Sequence, residues 1–332
     1  MERGILVAGA GGFIGGYLVG LLREQGCFPL RAVDKKPLAQ WFQRFDGVDN
    51  RVLDLGDKAA CEQAVEGMGT VYNLACDMGG MGFIERHKAD CMLSVLINTH
   101  LLLAARQAGV DAFFFASSAC VYNGAKQTGD MLALKEDDAY PAMPEDGYGW
   151  EKLFSERMCR HFTEDFGLTT RVARLHNIYG PLGTFDGGRE KAPAALARKV
   201  AEAKLNGHSE IEIWGDGRQL RSFTYIGDCL AGIGRIMGAP ELNAPLNLGS
   251  SEMVTIDGLV DIIEDIAGTR LKRRYNPDAP KGVRGRNSDN TMIKSLLDWA
   301  PSTPLRQGVE LTYRWIYDQL ASGRPDQRFR QP

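Results

Sequence analysis

The sequence predicts an α/β fold in which a doubly wound parallel sheet is followed by a smaller C-terminal α/β lobe. Short β-branched runs alternate with helix-length stretches through the first half of the chain. From about residue 177 onward, glycine and proline become more frequent and the strand-like runs shorten. Strands that are separated by helices imply right-handed βαβ units and a parallel sheet covered on both faces.

The individual elements follow from the spacing of their apolar residues. In the first half, strands are predicted at Gly4–Ala10, Pro29–Asp34, Arg51–Leu55, Thr70–Ala75 and Ala112–Ser117, and helices at Phe13–Gln25 and Met92–Ala108. In the C-terminal part, strands are predicted at Glu210–Trp214 and Arg221–Tyr225, and helices at Ile256–Ala267 and Gln307–Leu320. Ligands of such sheets bind outside the carboxyl ends of the strands, so we expect a site in the cleft between the lobes.

The composition argues against several classes of partner. The 332 residues carry 39 basic and 42 acidic side chains, and the net charge of −3 favours neither nucleic acid nor a membrane surface. No uninterrupted apolar stretch approaches the roughly 18 residues of a membrane span, and the N-terminal residues lack the layout of a signal peptide. The seven cysteines form no C-x-x-C pair, so we expect no disulfide framework, no metal site and a cytoplasmic location.

A glycine turn joins the first predicted strand to the first predicted helix. Gly9 permits the tight turn, Gly12 lets the backbone approach a pyrophosphate, and Gly15 lets the helix pack close to the strand. The free N–H groups of the helix start, which includes Phe13 and Ile14, face the phosphates. Because the motif lies between a strand and a helix, as its mechanism requires, it predicts a bound dinucleotide.

Acidic residues after the next two predicted strands favour NAD as that dinucleotide. Asp34 stands where a carboxylate binds the adenosine ribose hydroxyls, and a carboxylate there repels the 2′-phosphate of NADP. Asp54, next to Leu55, ends the third predicted strand and either accepts a hydrogen bond from the adenine amino group or caps a helix. We therefore assign residues 1–176 to an NAD-binding domain, to which later segments return, and residues 177–332 mainly to a substrate-binding lobe.

A tyrosine and a lysine supply a candidate catalytic base. Tyr148 and Lys152 form a Y-x-x-x-K pair, one helical turn apart on the same face of a predicted helix. A nearby ammonium stabilises a tyrosinate, so we expect Lys152 to lower the phenol pKa from about 10 toward neutrality. Such a base takes a hydroxyl proton while hydride leaves to the nicotinamide. Ser118, at the end of the fifth predicted strand, is placed to hydrogen-bond the reacting oxygen.

The G-x-x-G-x-x-G turn, with Ser118, Tyr148 and Lys152, resembles the extended short-chain dehydrogenase/reductase family over nearly the whole chain. The resemblance implies a Rossmann-type fold, bound NAD and a C-terminal lobe that binds a nucleoside-diphosphate sugar. It also implies a homodimer built on two helices of each subunit. By position these helices are roughly Asp90–Gln107 and Tyr148–Phe166.

The position two residues after Ser118 divides the chemistry of this family. Its sugar-nucleotide 4,6-dehydratases carry an Asp-Glu pair just after the catalytic hydroxyl residue, whereas this chain has Ala119 and Cys120. A thiol near a cationic group can ionise below its free pKa of about 8.5 and remove a proton from carbon. The alternative is a buried structural cysteine, the commonest fate of a free cysteine.

Three long runs narrow the resemblance to family members that epimerise a GDP-sugar at C3 and C5. They are Asp77–Ile84 (D-M-G-G-M-G-F-I), Gly187–Pro193 (G-G-R-E-K-A-P) and Gly282–Asn290 (G-V-R-G-R-N-S-D-N). The resemblance implies that Cys120 removes a proton beside a transient 4-ketone and that Lys191 returns one to the opposite face. The substrate contacts that it implies are Gly80, Met81, Gly82, Ser118, Asn177, Lys191, Arg221 and Arg284, with Arg284 and then Arg221 at the diphosphate.

Three alternatives remain open at this point. Asn123-Gly124-Ala125 and Gly227-Asp228 differ from the pattern of the close relatives, so another GDP-sugar, such as a heptose, is one alternative substrate of a 3,5- or 5-epimerase. A GDP-fucose-synthase-like enzyme, which ends with a net reduction by NADPH, is the second, although Lys191 and Asp34 argue against it. A non-catalytic NAD-sensing protein is the third, and the retention of the full catalytic set argues against it.

Overall fold

The computed structural model describes residues 3–127, 133–240, 242–280 and 282–330. In chain order, its strands are β1 (Gly4–Ala8), β2 (Leu30–Asp34), β3 (Asp49–Val52), β4 (Met68–Asn73), β5 (Ala112–Ser118), β6 (Ala133–Leu134), β7 (Thr169–Leu175), β8 (Ile178–Tyr179), β9 (Glu210–Trp214), β10 (Leu220–Ser222), β11 (Thr224–Tyr225), β12 (Leu246–Leu248), β13 (Met253–Thr255), β14 (Lys272–Asn276) and β15 (Gly285–Ser288). Its α-helices are α1 (Phe13–Glu24), α2 (Lys58–Val65), α3 (Met81–Ile84), α4 (Lys88–Gln107), α5 (Tyr148–Phe166), α6 (Ala192–Asn206), α7 (Ile226–Gly238), α8 (Ile256–Ala267), α9 (Thr291–Leu297) and α10 (Leu305–Ala321).

A seven-stranded sheet in the order β12-β7-β5-β4-β1-β2-β3 forms the larger part of the molecule. All neighbouring strands in it are parallel. Strand β5 is buried from Phe113 to Ser118, which explains why its sequence is a continuous apolar run and not an alternating one. The strand order reverses at β1, with β2 on one side and β4 on the other, and ligands of such sheets bind in the crevice at that point. The predicted fold class is confirmed.

Helices cover both faces of this sheet. Helices α1 and α7 pack on one face, where Leu18 and Val19 share a core with Ile233 and Ile236. Helices α2, α4 and α5 pack on the other face and contribute Cys61, Ala64, Leu101, Leu102, Cys159 and Phe162 to a second core. The glycine turn at Gly9–Gly15 therefore lies at the edge of a sheet that is packed between two layers of helices.

Helix α4 is the one helix in the described ranges that has the length and apolar composition of a membrane span. Core helices of soluble proteins meet the same two criteria. In the structure, Leu101 and Leu102 are fully buried against the sheet, whereas Met92, Leu93 and Leu96 are exposed. The helix is thus a core helix of the α/β domain whose N-terminal half leaves an apolar edge uncovered.

The smaller lobe is interleaved with the large sheet. It contains a mixed sheet in the order β13-β10-β15-β6, a parallel pair of β9 and β14, and a core where Val200 of α6, Ile263 of α8 and Val309 of α10 are buried. Helix α7 and strand β12 return to the large domain, where β12 pairs with β7. In the other direction, β6 from the first half of the chain pairs with β15. These crossings hold the walls of the cleft together.

Most predicted strands have somewhat different bounds in the structure, and two of them differ for a clear structural reason. Strand β3 is Asp49–Val52 and not Arg51–Leu55, because Asp34 pairs with Val52 and the chain turns away after that pair. The predicted strand Arg221–Tyr225 is divided at Phe223. Its first part pairs with β13 and β15, and its second part pairs with β8, so one apolar run serves two sheets.

Candidate active site

The glycine turn forms a cradle that side chains would fill. Gly9 has a φ of +81°, a conformation that favours glycine. A Cβ atom on Gly15 would lie 2.1 Å from the carbonyl oxygen of Gly9, so only glycine permits this approach of α1 to the turn. Gly12 is the residue before α1 and provides no side-chain cap. The N–H groups of Phe13 and Ile14 lie in the first turn of the helix, where backbone N–H groups have no partner within the helix. The cradle therefore fits the pyrophosphate of a dinucleotide.

Asp34 lies at the carboxyl end of β2, next to this cradle. Its Oδ2 accepts a hydrogen bond of 3.1 Å from the Gly11 N–H, and its Oδ1 accepts one of 3.0 Å from the Lys36 N–H. A carboxylate has about four lone-pair sites, so each oxygen retains capacity for a ribose hydroxyl. The fold therefore holds the carboxylate rigidly at the position where the sequence predicts ribose binding.

Asp54 and Leu55 lie beyond the third strand and not at its end, because β3 stops at Val52. The Oδ1 of Asp54 accepts a hydrogen bond of 2.9 Å from the Gly56 N–H and closes a tight turn. The capping position of α2 is Asp57, so the alternative of Asp54 as a helix cap is wrong. Leu55 is buried in the core beneath the sheet.

Ser118, Tyr148 and Lys152 come together at the carboxyl end of β5. Gly147, with a φ of +73°, turns the chain so that Tyr148 is the first residue of α5, and Lys152 follows one turn later. The Lys152 Nζ lies 5.5 Å from the centroid of the Tyr148 ring and 4.7 Å from that of Phe115. Ser118 is close enough to the Tyr148 phenol to lower its pKa, against the larger effect of burial. All three catalytic candidates are buried.

The protonation of this group differs from the prediction. Burial raises the pKa of Tyr148 well above its ordinary value, and Cys76 and Cys120 raise it further. Burial works against the Lys152 ammonium, but Cys76 and Glu151 outweigh burial and raise the pKa of Lys152. Lys152 is therefore a cation, as predicted. The predicted lowering of the phenol pKa is wrong, because loss of water around the phenol dominates.

Cys120 lies in the short turn that follows β5, with 7% of its surface exposed. Its Sγ is 3.6 Å from Nη1 of Arg286, so the predicted cation beside the thiol is present. Burial and the Glu145 carboxylate nevertheless raise the pKa of Cys120 to about 12, against the effect of Arg286. The expected ionisation below the free value is therefore wrong, since dry surroundings and a carboxylate both favour the neutral thiol.

Lys191 immediately precedes α6 and is half-buried, so it is not an ordinary surface charge. Burial lowers the pKa of Lys191, while Cys120 and Cys76 act to raise it. The charges of the amine and the Cys120 thiol therefore act on each other. The structure thus brings Ser118, Cys120, Tyr148, Lys152 and Lys191 to one end of the parallel sheet.

Two loops close over this pocket through backbone contacts. The Gly80 N–H donates a hydrogen bond of 3.0 Å to the carbonyl oxygen of Arg189. A Cβ atom on Gly80 would lie 2.4 Å from the carbonyl oxygen of Glu190, so glycine is needed for this loop contact. The Arg189 guanidinium lies 2.7 Å from Oδ1 of Asp77 and covers the ring of Phe83. The loop after β4 therefore holds the segment that carries Lys191.

Met81 and Gly82 connect this closure to the smaller lobe. A Cβ atom on Gly282 would lie 3.1 Å from the Met81 Cε, and one on Gly82 would lie 3.5 Å from the Trp214 ring. These contacts bring the end of β9 and the loop before β15 to the rim of the pocket. The three motif runs, at Asp77–Ile84, Gly187–Pro193 and Gly282–Asn290, thus come together in the structure.

Arg221 shapes the loop that carries Arg284. Its guanidinium donates to the carbonyl oxygens of Leu220 at 2.7 Å, of Arg284 at 3.2 Å, and of Val283. Burial and the nearby charge of Arg286 lower the pKa of Arg221 to about 10. The Arg284 residue itself is exposed at the rim. Arg221 is therefore in large part a structural support of the loop before β15.

Asn177 has a φ of +46°, in the left-handed region, and its side-chain amide donates a hydrogen bond of 3.0 Å to the Ser222 carbonyl oxygen. This bond ties the chain after β7 to the end of β10. Asn177 therefore lies at the junction of the two lobes. The oxygen of its side-chain amide takes no part in this hydrogen bond.

Sequence reasoning missed two residues of the site, Glu145 and Arg286. Arg286 contacts the Cys120 sulfur, and the Glu145 carboxylate raises the pKa of the Cys120 thiol. Neither residue is close to Cys120 in the sequence. One signal was available for Arg286, because it stands two residues after Arg284 in the same run and alternate residues of a strand share a face. No local pattern marks Glu145, because its role depends on which residues surround it.

The fold and the site define the class of protein. A parallel sheet with a glycine cradle after β1, and Ser118, Tyr148 and Lys152 beyond β5, defines an enzyme that uses a nicotinamide dinucleotide at a hydroxyl-bearing carbon. All seven cysteines are free, and no group of three or more His, Cys, Asp or Glu side chains in the described ranges is arranged to hold a metal ion.

The chain belongs to the NAD dependent epimerase/dehydratase family, whose sequence model matches residues 5–249. It is 44% identical to GDP-mannose 3,5-epimerase 1 of Oryza sativa subsp. japonica over 321 residues, which cover 95% of this chain and 82% of the relative. It is 42% identical to GDP-mannose 3,5-epimerase of Arabidopsis thaliana over 322 residues, with the same coverage of both chains. The predicted family, enzyme class and NAD cofactor are confirmed.

A solved structure agrees on the fold. The crystal structure of UDP-glucose 4-epimerase from Thermotoga maritima, with UDP-glucose, matches with a TM-score of 0.86 at 24% sequence identity. The match covers 96% of this chain and 99% of that chain. The Rossmann-type architecture with its smaller C-terminal lobe is therefore shared over the full length.

Proposed function

We propose that this protein is a GDP-mannose 3,5-epimerase that converts GDP-D-mannose into GDP-L-galactose, with GDP-L-gulose as the singly epimerised product. The observation that carries the proposal is that the loop after β4 holds the segment of Lys191 through the Gly80–Arg189 bond, where this amine and the Cys120 thiol act on each other's charge, and that Cys120 acts in the same way on Tyr148. An enzyme that only oxidises and reduces C4 needs no such pair. The names of the relatives that are 42% and 44% identical support the same activity.

The first step acts on the C4 hydroxyl of the sugar. Tyr148 takes the hydroxyl proton, and Ser118 hydrogen-bonds the same oxygen. Gly9, Gly12, Gly15 and Asp34 would hold NAD, which would supply the hydride acceptor and donor that this chemistry at C4 needs. Lys152 stays a cation in the buried pocket, and it stabilises the negative charge that develops on the Tyr148 oxygen as the proton leaves.

The second step acts on carbon. A ketone at C4 acidifies the hydrogens at C3 and C5, because each carbanion is an enolate. Cys120 removes a proton from one face, and Lys191 delivers a proton to the opposite face. The raised pKa of the Cys120 thiol makes its thiolate a strong base, and the lowered pKa of Lys191 makes its ammonium a strong acid. Both shifts favour proton transfer at carbon once the charged forms are present.

Substrate binding is proposed for the rim of the cleft. Arg284, exposed on the loop before β15, binds the diphosphate, with Arg221 as a second contact. The loop at Gly80–Gly82 shapes one wall of the sugar pocket, and Asn177 lies beside it. The closure of the loop after β4 over the Lys191 segment supports this assignment, because it encloses the reacting carbons between the two groups that exchange protons.

Solvent deuterium tests the proposal. GDP-mannose incubated with the wild-type enzyme in deuterated water is expected to gain deuterium at C3 and C5 with no net consumption of cofactor, because Lys191 exchanges its protons with solvent. Nuclear magnetic resonance and mass spectrometry locate the label. The Tyr148→Phe enzyme serves as the control, since without a C4 ketone no carbon proton is acidic. Solvent label at neither carbon would reject the epimerase assignment.

The same measurement separates the alternatives. Net consumption of NADPH with a GDP-4-keto-6-deoxy sugar would identify a reductive enzyme like GDP-fucose synthase. Label that appears faster with another sugar, in a panel of GDP- and UDP-sugars, would identify that sugar as the substrate. Label at C5 alone would identify a 5-epimerase.

We propose that two copies of this chain associate through α4 and α5, which pack against each other. Large apolar side chains are exposed along both helices, namely Met92, Leu93 and Leu96 on α4 and Trp150 and Phe154 on α5. An apolar strip shared by two adjacent helices is a surface that a second copy covers with the same strip in a two-fold arrangement. A homodimer with a four-helix interface follows.

Leu93→Asp is expected to shift the protein from dimer to monomer, because each interface would bury two unpaired carboxylates. Sedimentation analysis at micromolar concentration gives the mass. Leu311→Asp is the matched control, since Leu311 is an exposed leucine of α10, away from the strip, and its replacement leaves the mass unchanged. A dimeric Leu93→Asp protein, or a monomeric wild type, contradicts this interface.

A further inference from the structure

Glu145 lies beside the thiol of Cys120, in the loop before α5. The Glu145 N–H donates a hydrogen bond of 3.0 Å to the Cys120 carbonyl oxygen, so the two residues are fixed next to each other. The Glu145 side chain is 14% exposed, and its carboxylate is close enough to accept a hydrogen bond from the thiol. The buried oxygen Oε2 has no hydrogen-bond partner within the described ranges. A buried carboxylate oxygen needs a donor, and the Cys120 thiol is a neighbouring group that can donate, since each of the two groups changes the pKa of the other.

Arg286 connects the carboxylate to the thiol. It is 6% exposed, forms an ion pair with Glu145, and donates a hydrogen bond of 2.9 Å from Nε to Oε1 of Gln127. Its Nη1 lies 3.6 Å from the Cys120 Sγ. One guanidinium thus faces two groups that can each carry a negative charge. A single charge can move between them without leaving an unpaired ion in the pocket.

We propose that Glu145 is a positioning residue that accepts the proton of the Cys120 thiol, while Arg286 holds the negative charge that this transfer leaves on sulfur. The inference rests on the proposed function, in which Cys120 acts as the base toward carbon. The S–H bond of Cys120 breaks with its electron pair kept on sulfur, and an O–H bond forms on Glu145. No group is oxidised or reduced in this step.

Every proton that moves during one epimerisation has a donor and an acceptor. The Cys120 thiolate takes the carbon proton and becomes a thiol again, and Lys191 gives a proton to the opposite face and becomes a neutral amine. The proton on Glu145 then passes through solvent to Lys191. This transfer restores the Glu145 carboxylate and the Lys191 ammonium for the second carbon.

The charges around the thiol determine the direction in which the pKa of Cys120 changes when Glu145 is replaced. The groups that face Cys120 from the surrounding elements are Ser118, Glu145, Tyr148, Lys191, Arg221 and Arg286. The Glu145 carboxylate opposes ionisation of the thiol, and the Arg286 guanidinium favours it. Removing the charge of Glu145 therefore lowers the pH at which the thiolate forms, because Arg286 then stabilises the thiolate alone.

Glu145→Gln tests this in the complete, ligand-free enzyme. The ultraviolet absorbance of the thiolate is measured against pH, with the Cys120→Ser enzyme subtracted. We expect the Glu145→Gln thiolate to form at lower pH than that of the wild type. In Glu145→Asp, which keeps a carboxylate but withdraws it from the thiol, we expect a smaller decrease in the pH at which the thiolate forms. This variant replaces Glu145→Gln in the test if the glutamine variant does not fold. Asp146→Asn is the matched control, because Asp146 pairs with Lys88 at the surface and leaves the titration unchanged.

The second measurement is deuterium incorporation at C3 and C5 of GDP-mannose. In the Glu145→Gln enzyme we expect a loss of about 100-fold, the range of a general acid–base contribution, because a thiolate of lowered pKa is a weaker base and its proton has no nearby acceptor. Oxidation at C4, read from the absorbance of the reduced nicotinamide, continues. An unshifted thiolate titration overturns the proposal, and so does exchange at the wild-type rate. The titration uses no substrate, so failure of the wild type to exchange would refute the proposed function separately.

Discussion

Cys120→Ala is expected to abolish solvent deuterium incorporation at C3 and C5 of GDP-mannose while oxidation at C4 continues. Alanine keeps the Cβ atom and the turn after β5 but removes the ionisable group. Loss of one general base costs about 100-fold to 10,000-fold in rate. Because Tyr148 and Lys152 are untouched, the substrate still transfers its C4 hydrogen to the cofactor. The absorbance of the reduced nicotinamide therefore rises after substrate is added, and the 4-keto sugar accumulates without epimerising.

Cys159→Ala is the control for the loss of a buried sulfur. Cys159 is fully buried in α5, about two helical turns beyond Lys152, in the core between this helix and the sheet. Its replacement is expected to cost on the order of 1 kcal/mol of stability and to leave exchange at the wild-type rate. If exchange survives in Cys120→Ala, then Cys120 is a structural cysteine and Lys191 or another group removes the carbon proton.

Gly15→Ala is expected to weaken NAD binding by about 100-fold or more, the effect of misplacing a binding group by about 1 Å. The added Cβ atom would lie 2.1 Å from the Gly9 carbonyl oxygen, a backbone atom that no side-chain rotation can move. Helix α1 must therefore shift away from the turn, and its N–H groups lose their alignment with the pyrophosphate. Calorimetric titration with NAD measures the Kd, and the amount of NAD that copurifies gives a second readout.

Gly234→Ala is the matched control, because Gly234 lies within α7 and an added Cβ atom there meets nothing within 4 Å. This variant is expected to bind NAD normally and to gain up to about 1 kcal/mol of stability from the higher helix propensity of alanine. Wild-type NAD affinity in Gly15→Ala would show that the turn after β1 does not hold the pyrophosphate.

The elements with strong periodicity were predictable from the sequence. Helix α8 and strand β9 have the predicted bounds, because their apolar spacing matches the geometry of one packed face. The third strand was predicted two residues too late, since Leu53 and Leu55 are apolar for a different reason. They pack into the core after the strand has ended. Apolar residues indicate burial, and burial is not restricted to strands.

The candidate site was predictable in its parts and not in its electrostatics. The Tyr148 and Lys152 spacing lies within one helical turn, so local geometry brings the two side chains together. The directions of the Tyr148 and Cys120 pKa shifts were predicted wrongly, because the sequence reveals nearby charges more readily than it reveals the loss of water. Desolvation outweighs those charges in this pocket.

The sequence by itself determined the dinucleotide cradle and the helix that carries the catalytic base. Both are built from residues a few positions apart, whose geometry follows from backbone conformation and helix period. Only the tertiary structure placed Arg286 against Cys120, 166 residues away, and against Glu145, 141 residues away. That contact arises because strand β15 of the smaller lobe carries the Arg286 side chain to the turn that follows β5. The protonation of the thiol depends on this packing, since both the dryness of the pocket and the charges within it are properties of the assembled lobes.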